Sequence, residues 1–142
     1  AINPLRRAEM ATVNLTEKEF AATIEKEGIV FLDFWADWCG PCKAFAPVYE
    51  AASEKHADIT FGKVNTEEEQ ALAGAFGITS IPTLMIFRDG IGVFAQPGML
   101  PAAALDELIE KVKELDMDDV RKQVAAHEAE HGKEHDHAHD HG

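Results

Sequence analysis

Apolar residues recur along the chain in short runs and in helical spacing, and the two patterns alternate. The run from Ile29 to Trp35 is apolar except for Asp33. Such a composition is typical of a central strand that is covered on both faces. A turn at 88–90 predicts that the last two strands form an antiparallel hairpin. The predicted strands are 11–15, 29–35, 59–64, 83–87 and 92–95.

Helices are predicted between these strands from apolar residues spaced three and four apart and from end signals. Thr16 and Glu19 have the spacing of a capping box, and Thr66 is predicted to cap the third helix. The predicted helices are 17–27, 39–56, 67–76 and 101–115. The alternation predicts an α/β fold, a mixed five-stranded sheet flanked by four helices.

The composition changes after Leu115. Asp116 and Asp118 can cap a further short helix, and the sequence from His127 onward is polar and low in complexity, which predicts disorder. We expect three regions: leader residues without assigned function at 1–9, one domain at 10–115, and a short helix with a disordered tail rich in His, Asp and Glu at 116–142.

Length and charge narrow the class of protein. A chain of 142 residues has room for one ordinary domain and not for two. The net charge of -13 argues against binding to nucleic acid or to anionic membranes. No apolar stretch approaches the roughly 20 residues of a membrane span, and residues 1–12 lack the apolar core of a signal peptide. We therefore expect a cytoplasmic monomer with no nucleic-acid or membrane partner.

Both cysteines of the chain, Cys39 and Cys42, directly follow the central strand and lie in the first turn of a predicted helix. This spacing lets one sulfur reach the other without unfolding, which suits reversible dithiol/disulfide exchange. An unperturbed cysteine has a pKa of about 8.5, and a helix N-terminus favours the anion. We expect Cys39 to be the attacking nucleophile and Cys42, one turn inside the helix, to be the resolving thiol.

A zinc site is the alternative for this pair. Cys39 and Cys42 with His127 and His131 would supply four ligands of suitable type. A zinc finger, however, places its two ligand pairs about 12 to 15 residues apart, and here residues 43–126 intervene. Two inert buried cysteines are a weaker alternative, because the Gly-Pro pair between them is a poor core segment.

Two charged residues fall on otherwise apolar strand faces. Asp33 shares a face with Phe31, and Lys63 shares a face with Phe61. Desolvation raises the pKa of a buried carboxyl, which suits a group that takes and returns the proton of Cys42, directly or through water. The alternatives are a structural ion pair between Asp33 and Lys63, or a Lys63 that extends to solvent.

The segment Val30 to Lys43, Val-Phe-Leu-Asp-Phe-Trp-Ala-Asp-Trp-Cys-Gly-Pro-Cys-Lys, resembles the active-site segment of thioredoxins, and the resemblance extends from Met10 to Leu115. It implies the thioredoxin fold and a protein-disulfide reductase that uses the cysteine pair, with no tightly bound cofactor. It also implies disulfide-containing proteins as substrates and an NADPH-dependent thioredoxin reductase as the regenerating partner. Further matching positions are Lys63, Ile81-Pro82-Thr83, Asp89-Gly90 and Gly98.

The resemblance also implies a docking surface around Cys39. Pro82 is similar to the family's cis-proline, which would place the Ile81 backbone opposite Cys39 so that an extended substrate chain can add along it. A trans proline at a strand entrance is the alternative. The implied docking residues are Trp38, Gly40, Pro41, Ile81, Pro82 and Gly98.

The acidic tail is the largest departure from the family. It carries six of the seven histidines of the chain, and alternating His and Asp favour loose binding of zinc, nickel or copper. A redox-linked metal-binding protein is therefore a second hypothesis, against a solvated tail without a role. A disulfide-forming oxidase or isomerase is a third, but it would need an oxidising compartment. The candidate metal ligands are His135, His137, His139 and His141.

Overall fold

The computed structural model describes the backbone of residues 11–140 and the side chains as far as residue 129. The strands in this range are β1 (Thr12–Asn14), β2 (Ile29–Trp35), β3 (Thr60–Asn65), β4 (Thr83–Arg88) and β5 (Ile91–Pro97). The helices are α1 (Glu17–Ile24), α2 (Gly40–Lys55), α3 (Gln70–Ala75), α4 (Ala102–Lys113) and α5 (Met117–Asp140). The elements follow the predicted order.

The strands form one mixed sheet in the order β1-β3-β2-β4-β5. β2 is the central strand: β3 pairs with it in parallel and β4 pairs with it antiparallel. The hairpin of β4 and β5 is antiparallel, as the turn between them predicted. The predicted mixed five-stranded sheet is thus confirmed, and its central strand runs directly into the loop that carries the cysteines.

One face of β2 packs on α1 and α3. The alternate residues Val30, Leu32 and Phe34 belong to a core cluster with Phe20 of α1 and Leu72 of α3. The Phe76 ring, just after α3, lies 5.4 Å from the Phe20 ring and 6.1 Å from the Phe34 ring, measured between centroids. Since complete burial of one such side chain stabilises a fold by about 1.5–3 kcal/mol, this cluster fixes both helices on the sheet.

The other face of β2 packs on α2. The Phe31 ring contacts the Phe61 ring at 5.1 Å, and Tyr49 of α2 meets the Phe61 ring edge-on at 5.4 Å. The buried Tyr49 hydroxyl donates a hydrogen bond of 2.7 Å to the carbonyl of Gly62 on β3. These contacts fix α2 over the sheet, and therefore fix its N-terminus at the end of β2.

The predicted capping box at the start of α1 is confirmed. The Thr16 N–H donates to Glu19 Oε1 at 3.2 Å, and the Thr16 hydroxyl donates to Glu19 Oε2 at 2.8 Å. Both bonds favour the carboxylate, so they hold the pKa of Glu19 below its usual value.

The prediction that Thr66 caps the third helix is wrong, because α3 begins later, at Gln70. The Thr66 N–H and hydroxyl both donate to the carbonyl of Trp35, at 2.9 and 3.1 Å. The side chain of Asn65 organises the turn instead, since its Oδ1 accepts the N–H of Glu67 at 2.9 Å. Thr66 therefore joins the end of β3 to the end of β2 rather than starting a helix.

The chain from Lys113 onward forms a second unit. Its backbone is one helix of 24 residues, α5, where the sequence predicted a short helix followed by disorder from His127. Asp116 begins it as expected, because its Oδ1 accepts the N–H groups of Asp118 at 3.1 Å and Asp119 at 3.2 Å. Ala, Glu and Lys are strong helix formers and favour the helix as far as Glu130, but His, Asp and Gly, which are weak helix formers, prevail beyond it. Within residues 11–140, no helix is both long and apolar enough to cross a membrane.

Candidate active site

The two cysteines form a disulfide where β2 gives way to α2. Cys39 is the N-cap residue of α2, with extended backbone angles, and its Sγ accepts the N–H of Cys42 at 3.2 Å. Pro41 lies in the first turn of the helix, where its missing N–H would have had no helical partner. The local sequence therefore places one sulfur at the helix N-terminus and the other one turn inside.

Exposure does not separate the two cysteines, since Cys39 is 4% exposed and Cys42 is 3% exposed. Their surroundings do separate them. Cys39 Sγ lies 3.6 Å from the carbonyl oxygen of Ile81, on the loop before β4. Cys42 lines a cleft on the inner side of the helix, together with Asp33.

The loop facing Cys39 contains a cis peptide bond between Ile81 and Pro82. The Gly98 N–H donates to the carbonyl of Pro82 at 2.8 Å, so the segment after β5 is held against this loop. Gly98 has φ +96°, a backbone conformation that other L-residues rarely adopt. The structure thus brings four of the predicted site residues together: Cys39, Ile81, Pro82 and Gly98.

Trp38 is the most exposed large apolar side chain among the described residues, at 69%. Its indole Nε1–H donates to Glu67 Oε1 at 2.5 Å. Sequence reasoning missed Glu67, which lies in the turn after β3. The parallel register of β2 and β3 was the available signal, because it brings the loops after both strands to the same edge of the sheet.

Asp33 is buried in the centre of the sheet at 1% exposure, and its Oδ1 has no hydrogen-bond partner. Desolvation raises the pKa of Asp33 to about 7, and the nearby Lys63 charge lowers it only in part. Burial and the neighbouring Asp33 together hold the pKa of Tyr49 well above its usual value. The predicted direction of the Asp33 shift is thus confirmed.

Lys63 lies directly opposite Asp33 in the β2–β3 register. Among the described residues, however, these two side chains form no ion pair. The alternative of a structural ion pair between Asp33 and Lys63 is therefore wrong. The Lys63 ammonium instead lies over the ring of Trp35, with Nζ 4.8 Å from the ring centroid.

Asp33 and Cys42 line the same small cleft, of about 90 Å³. A cleft of this size has room for water-sized molecules between the two side chains. The remaining lining residues are Trp35, Ala36, Asp37, Lys43, Ala46 and Lys63.

The predicted tail ligands cannot be placed in the same way. The side chains of His135, His137 and His139 and the whole of His141 lie outside the described residues. Among the side chains that are described, no group of three or more His, Cys, Asp or Glu residues could hold a metal ion. Metal binding by the tail stays a prediction.

A disulfide in the first turn of a helix, beside an exposed aromatic side chain and a backbone carbonyl, is arranged for thiol–disulfide exchange. The fold and site define a thiol–disulfide exchange protein. The Thioredoxin family model matches residues 11–114. The chain is 56% identical over 120 residues to a protein of Streptomyces coelicolor proposed to be its thioredoxin 2, covering 84% of this chain and 90% of that one.

Other comparisons agree. The chain is 44% identical over 103 residues to the thioredoxin of Bacillus subtilis, covering 72% of this chain and 98% of that one. A solved structure of a mutant thioredoxin from Halobacterium salinarum matches with a TM-score of 0.68 at 37% identity, covering 73% of this chain and 92% of that one. The chain therefore belongs to the thioredoxin family, and it is a protein-disulfide oxidoreductase whose redox-active disulfide joins Cys39 and Cys42.

The pKa of Asp33 makes the stability of the oxidised protein depend on pH. The folded pKa of about 7 exceeds the ordinary value of 3.8, so the folded state holds a proton that the unfolded state has lost. Relative to Asp33→Asn, the native protein should lose stability as pH rises from about 4 to 7. The total loss is on the order of 4 kcal/mol.

Urea denaturation of both proteins between pH 4 and 9 measures this difference. Asp37→Asn is the matched control, because Asp37 lies on the same cleft but is exposed. Its stability relative to the native protein should stay nearly constant. A stability difference for Asp33→Asn that does not change with pH would mean that Asp33 is an ordinary carboxylate.

Proposed function

We propose that the chain is a general protein-disulfide reductase in which Cys39 attacks and Cys42 resolves. The observation that carries the proposal is that the first turn of α2 places the two cysteines in different surroundings. Cys39 faces the cis-proline loop at the outer end of the helix, and Cys42 lines the inner cleft with Asp33. The two sulfurs therefore have different neighbours, which suits two different steps.

The first step needs a thiolate on Cys39. In the oxidised protein its Sγ already accepts the N–H of Cys42, and in the dithiol form the same N–H would stabilise the anion. The N-terminus of α2 adds a partial positive charge, about half an elementary charge for a complete helix. The thiolate attacks one sulfur of the substrate disulfide, forms a mixed disulfide, and releases the other substrate sulfur as a thiolate.

The second step needs a thiolate on Cys42. Its proton passes to the Asp33 carboxylate through water in the cleft, and the Cys42 thiolate then attacks Cys39 Sγ. The internal disulfide forms, and the second substrate thiolate leaves and takes up a proton. The pKa of about 7 for Asp33 suits this exchange, because it lies near the working pH and near the pKa of a thiol.

Substrate docking is proposed around Cys39. The backbone of Ile81 offers a carbonyl next to the reacting sulfur, where an extended substrate segment can add along it. The exposed ring of Trp38 supplies apolar contact area, and its bond to Glu67 fixes the ring's orientation. The other residues proposed to line this surface are Gly40, Pro41, Pro82 and Gly98.

We place the protein in the cytoplasm as a monomer, with disulfide-containing proteins as substrates and an NADPH-dependent thioredoxin reductase as the regenerating enzyme. The proposed catalytic domain is 10–115. The family model matches residues 11–114, so residues 1–9 and the tail 116–142 are outside the proposed reductase unit. No observation on the described residues favours the metal-binding alternative.

Single-cysteine variants test the two roles. Cys39→Ser should abolish reduction of a protein disulfide and form no mixed disulfide. Cys42→Ser should also lose turnover but should accumulate a covalent complex with the substrate, because nothing cleaves it from within. The measurement is NADPH consumption with thioredoxin reductase, followed by mass spectrometry of trapped products.

A chain that ends at Leu115 is the control for the tail and should keep full activity. Accumulation of the complex on Cys39→Ser instead of Cys42→Ser would reverse the assignment. Loss of activity on deletion of the tail would contradict the proposed domain boundary.

The proton acceptor is tested by the pH dependence of single-turnover reduction. In the native protein the rate should rise with pH as Asp33 ionises, through the range around 7. Asp33→Asn should lose this rise and react about ten- to a hundredfold more slowly at neutral pH. Asp37→Asn, on the same cleft, should keep the native profile. If Asp33→Asn retains the native pH profile, Asp33 does not accept the proton.

A further inference from the structure

The position of the Lys63 ammonium is not the one its register suggests. Lys63 is paired with Asp33 across neighbouring strands, which lie about 4.8 Å apart in a sheet. A lysine beside a buried carboxylate would normally turn toward it. Here the side chain runs along the sheet instead, and its ammonium lies over the ring of Trp35, two residues further along β2.

The geometry between Lys63 and Trp35 is that of a cation–π contact. Nζ lies 4.8 Å from the ring centroid, inside the limit of about 6 Å for such contacts, and tryptophan is the aromatic side chain that binds cations best. The carbonyl of Trp35 is held by two hydrogen bonds from Thr66, which fix this residue beside β3. Trp35 Nε1 is buried without a hydrogen-bond partner, so no side-chain hydrogen bond orients the ring.

We propose that Trp35 is a positioning residue that holds the Lys63 ammonium over its ring and so keeps it from pairing with the Asp33 carboxylate. The inference rests on the proposed role of Asp33 as proton acceptor and assigns the control of that role to Trp35. The unpaired Oδ1 of Asp33 supports it, since that atom would be the natural partner of a released ammonium.

None of the other described groups that face Asp33 places a charge beside its carboxyl. Tyr49 of α2 is uncharged, because burial keeps its pKa well above the usual value. Cys42 is part of the disulfide and carries no charge, and Leu84, opposite Asp33 on β4, is apolar. Asp37 and Lys43 line the outer part of the same cleft, but both are exposed, opposite in charge and screened by water.

Loss of the ring releases the ammonium toward the carboxylate. An opposite charge within about 4–6 Å favours the ionised acid and lowers its pKa. Asp33 would then hold a proton less readily at neutral pH and would return it less efficiently in the reverse reaction.

The test is a double-mutant cycle with Trp35→Leu and Lys63→Met, read by ¹³C NMR titration of the Asp33 carboxyl in the oxidised protein. Trp35→Leu should lower the titration midpoint by about one pH unit. In the Lys63→Met background the same substitution should leave the midpoint unchanged, because there is no ammonium to release. Trp35→Phe is the conservative control and should stay close to the native value, since it keeps an aromatic face.

An unchanged midpoint in Trp35→Leu, or an equal shift in both backgrounds, would overturn the inference. A second measurement needs no variant: ring currents of Trp35 should move the ε-methylene proton signals of Lys63 upfield in the native protein. Ordinary lysine shifts there would also overturn it. Neither readout uses reductase activity. Failure of the proton-acceptor role would appear only in the pH–rate profile of Asp33→Asn, so it is distinguishable from failure of the inference about Trp35.

Discussion

The removal of the Asp33 carboxyl from water is the constraint on which the site depends. Asp33 lies on the central strand, on the face covered by α2, and its Oδ1 finds no hydrogen-bond partner. A carboxyl in that environment strongly disfavours its charged form, and its pKa rises to about 7. The same helix that buries Asp33 carries both cysteines in its first turn. Burial of the acid and placement of the disulfide are therefore consequences of one packing arrangement.

This arrangement lowers the stability of the folded protein and gives Asp33 a pKa near neutral pH. Aromatic packing of Tyr49 on Phe61 stabilises the fold and creates an apolar environment, whereas the ionised acid within it destabilises the folded state above neutral pH. An ion pair with Lys63 would remove much of that cost. The Lys63 ammonium instead lies over Trp35, which leaves Asp33 able to gain and lose a proton near pH 7.

The features that the sequence predicted well are those set by short-range pattern. The apolar run broken by Asp33 identified the central strand, and the spacing of Thr16 and Glu19 placed the start of α1. Period-two alternation put Asp33 and Lys63 each on an otherwise apolar face of its own strand. The cysteine pair was recognisable because its chemistry is local. These predictions hold because they need only the residues of one element.

The features that were missed depend on contacts between elements. Threonine is a common helix-cap residue, but the Thr66 hydroxyl donates to the carbonyl of Trp35 on another strand. The bond from Trp38 to Glu67 and the position of the Lys63 ammonium depend equally on tertiary neighbours of long side chains. A single sequence contains no rule for the direction of such side chains, so the register of the sheet had to be known first.

Direct titration of the Asp33 carboxyl tests best whether Asp33 is a neutral acid over much of the range below pH 7. ¹³C NMR of the oxidised native protein, with Asp37 as an internal exposed reference, follows the ionisation without any functional assay. We expect a midpoint near 7 for Asp33. A midpoint near 4, the ordinary value for an aspartate, would contradict it.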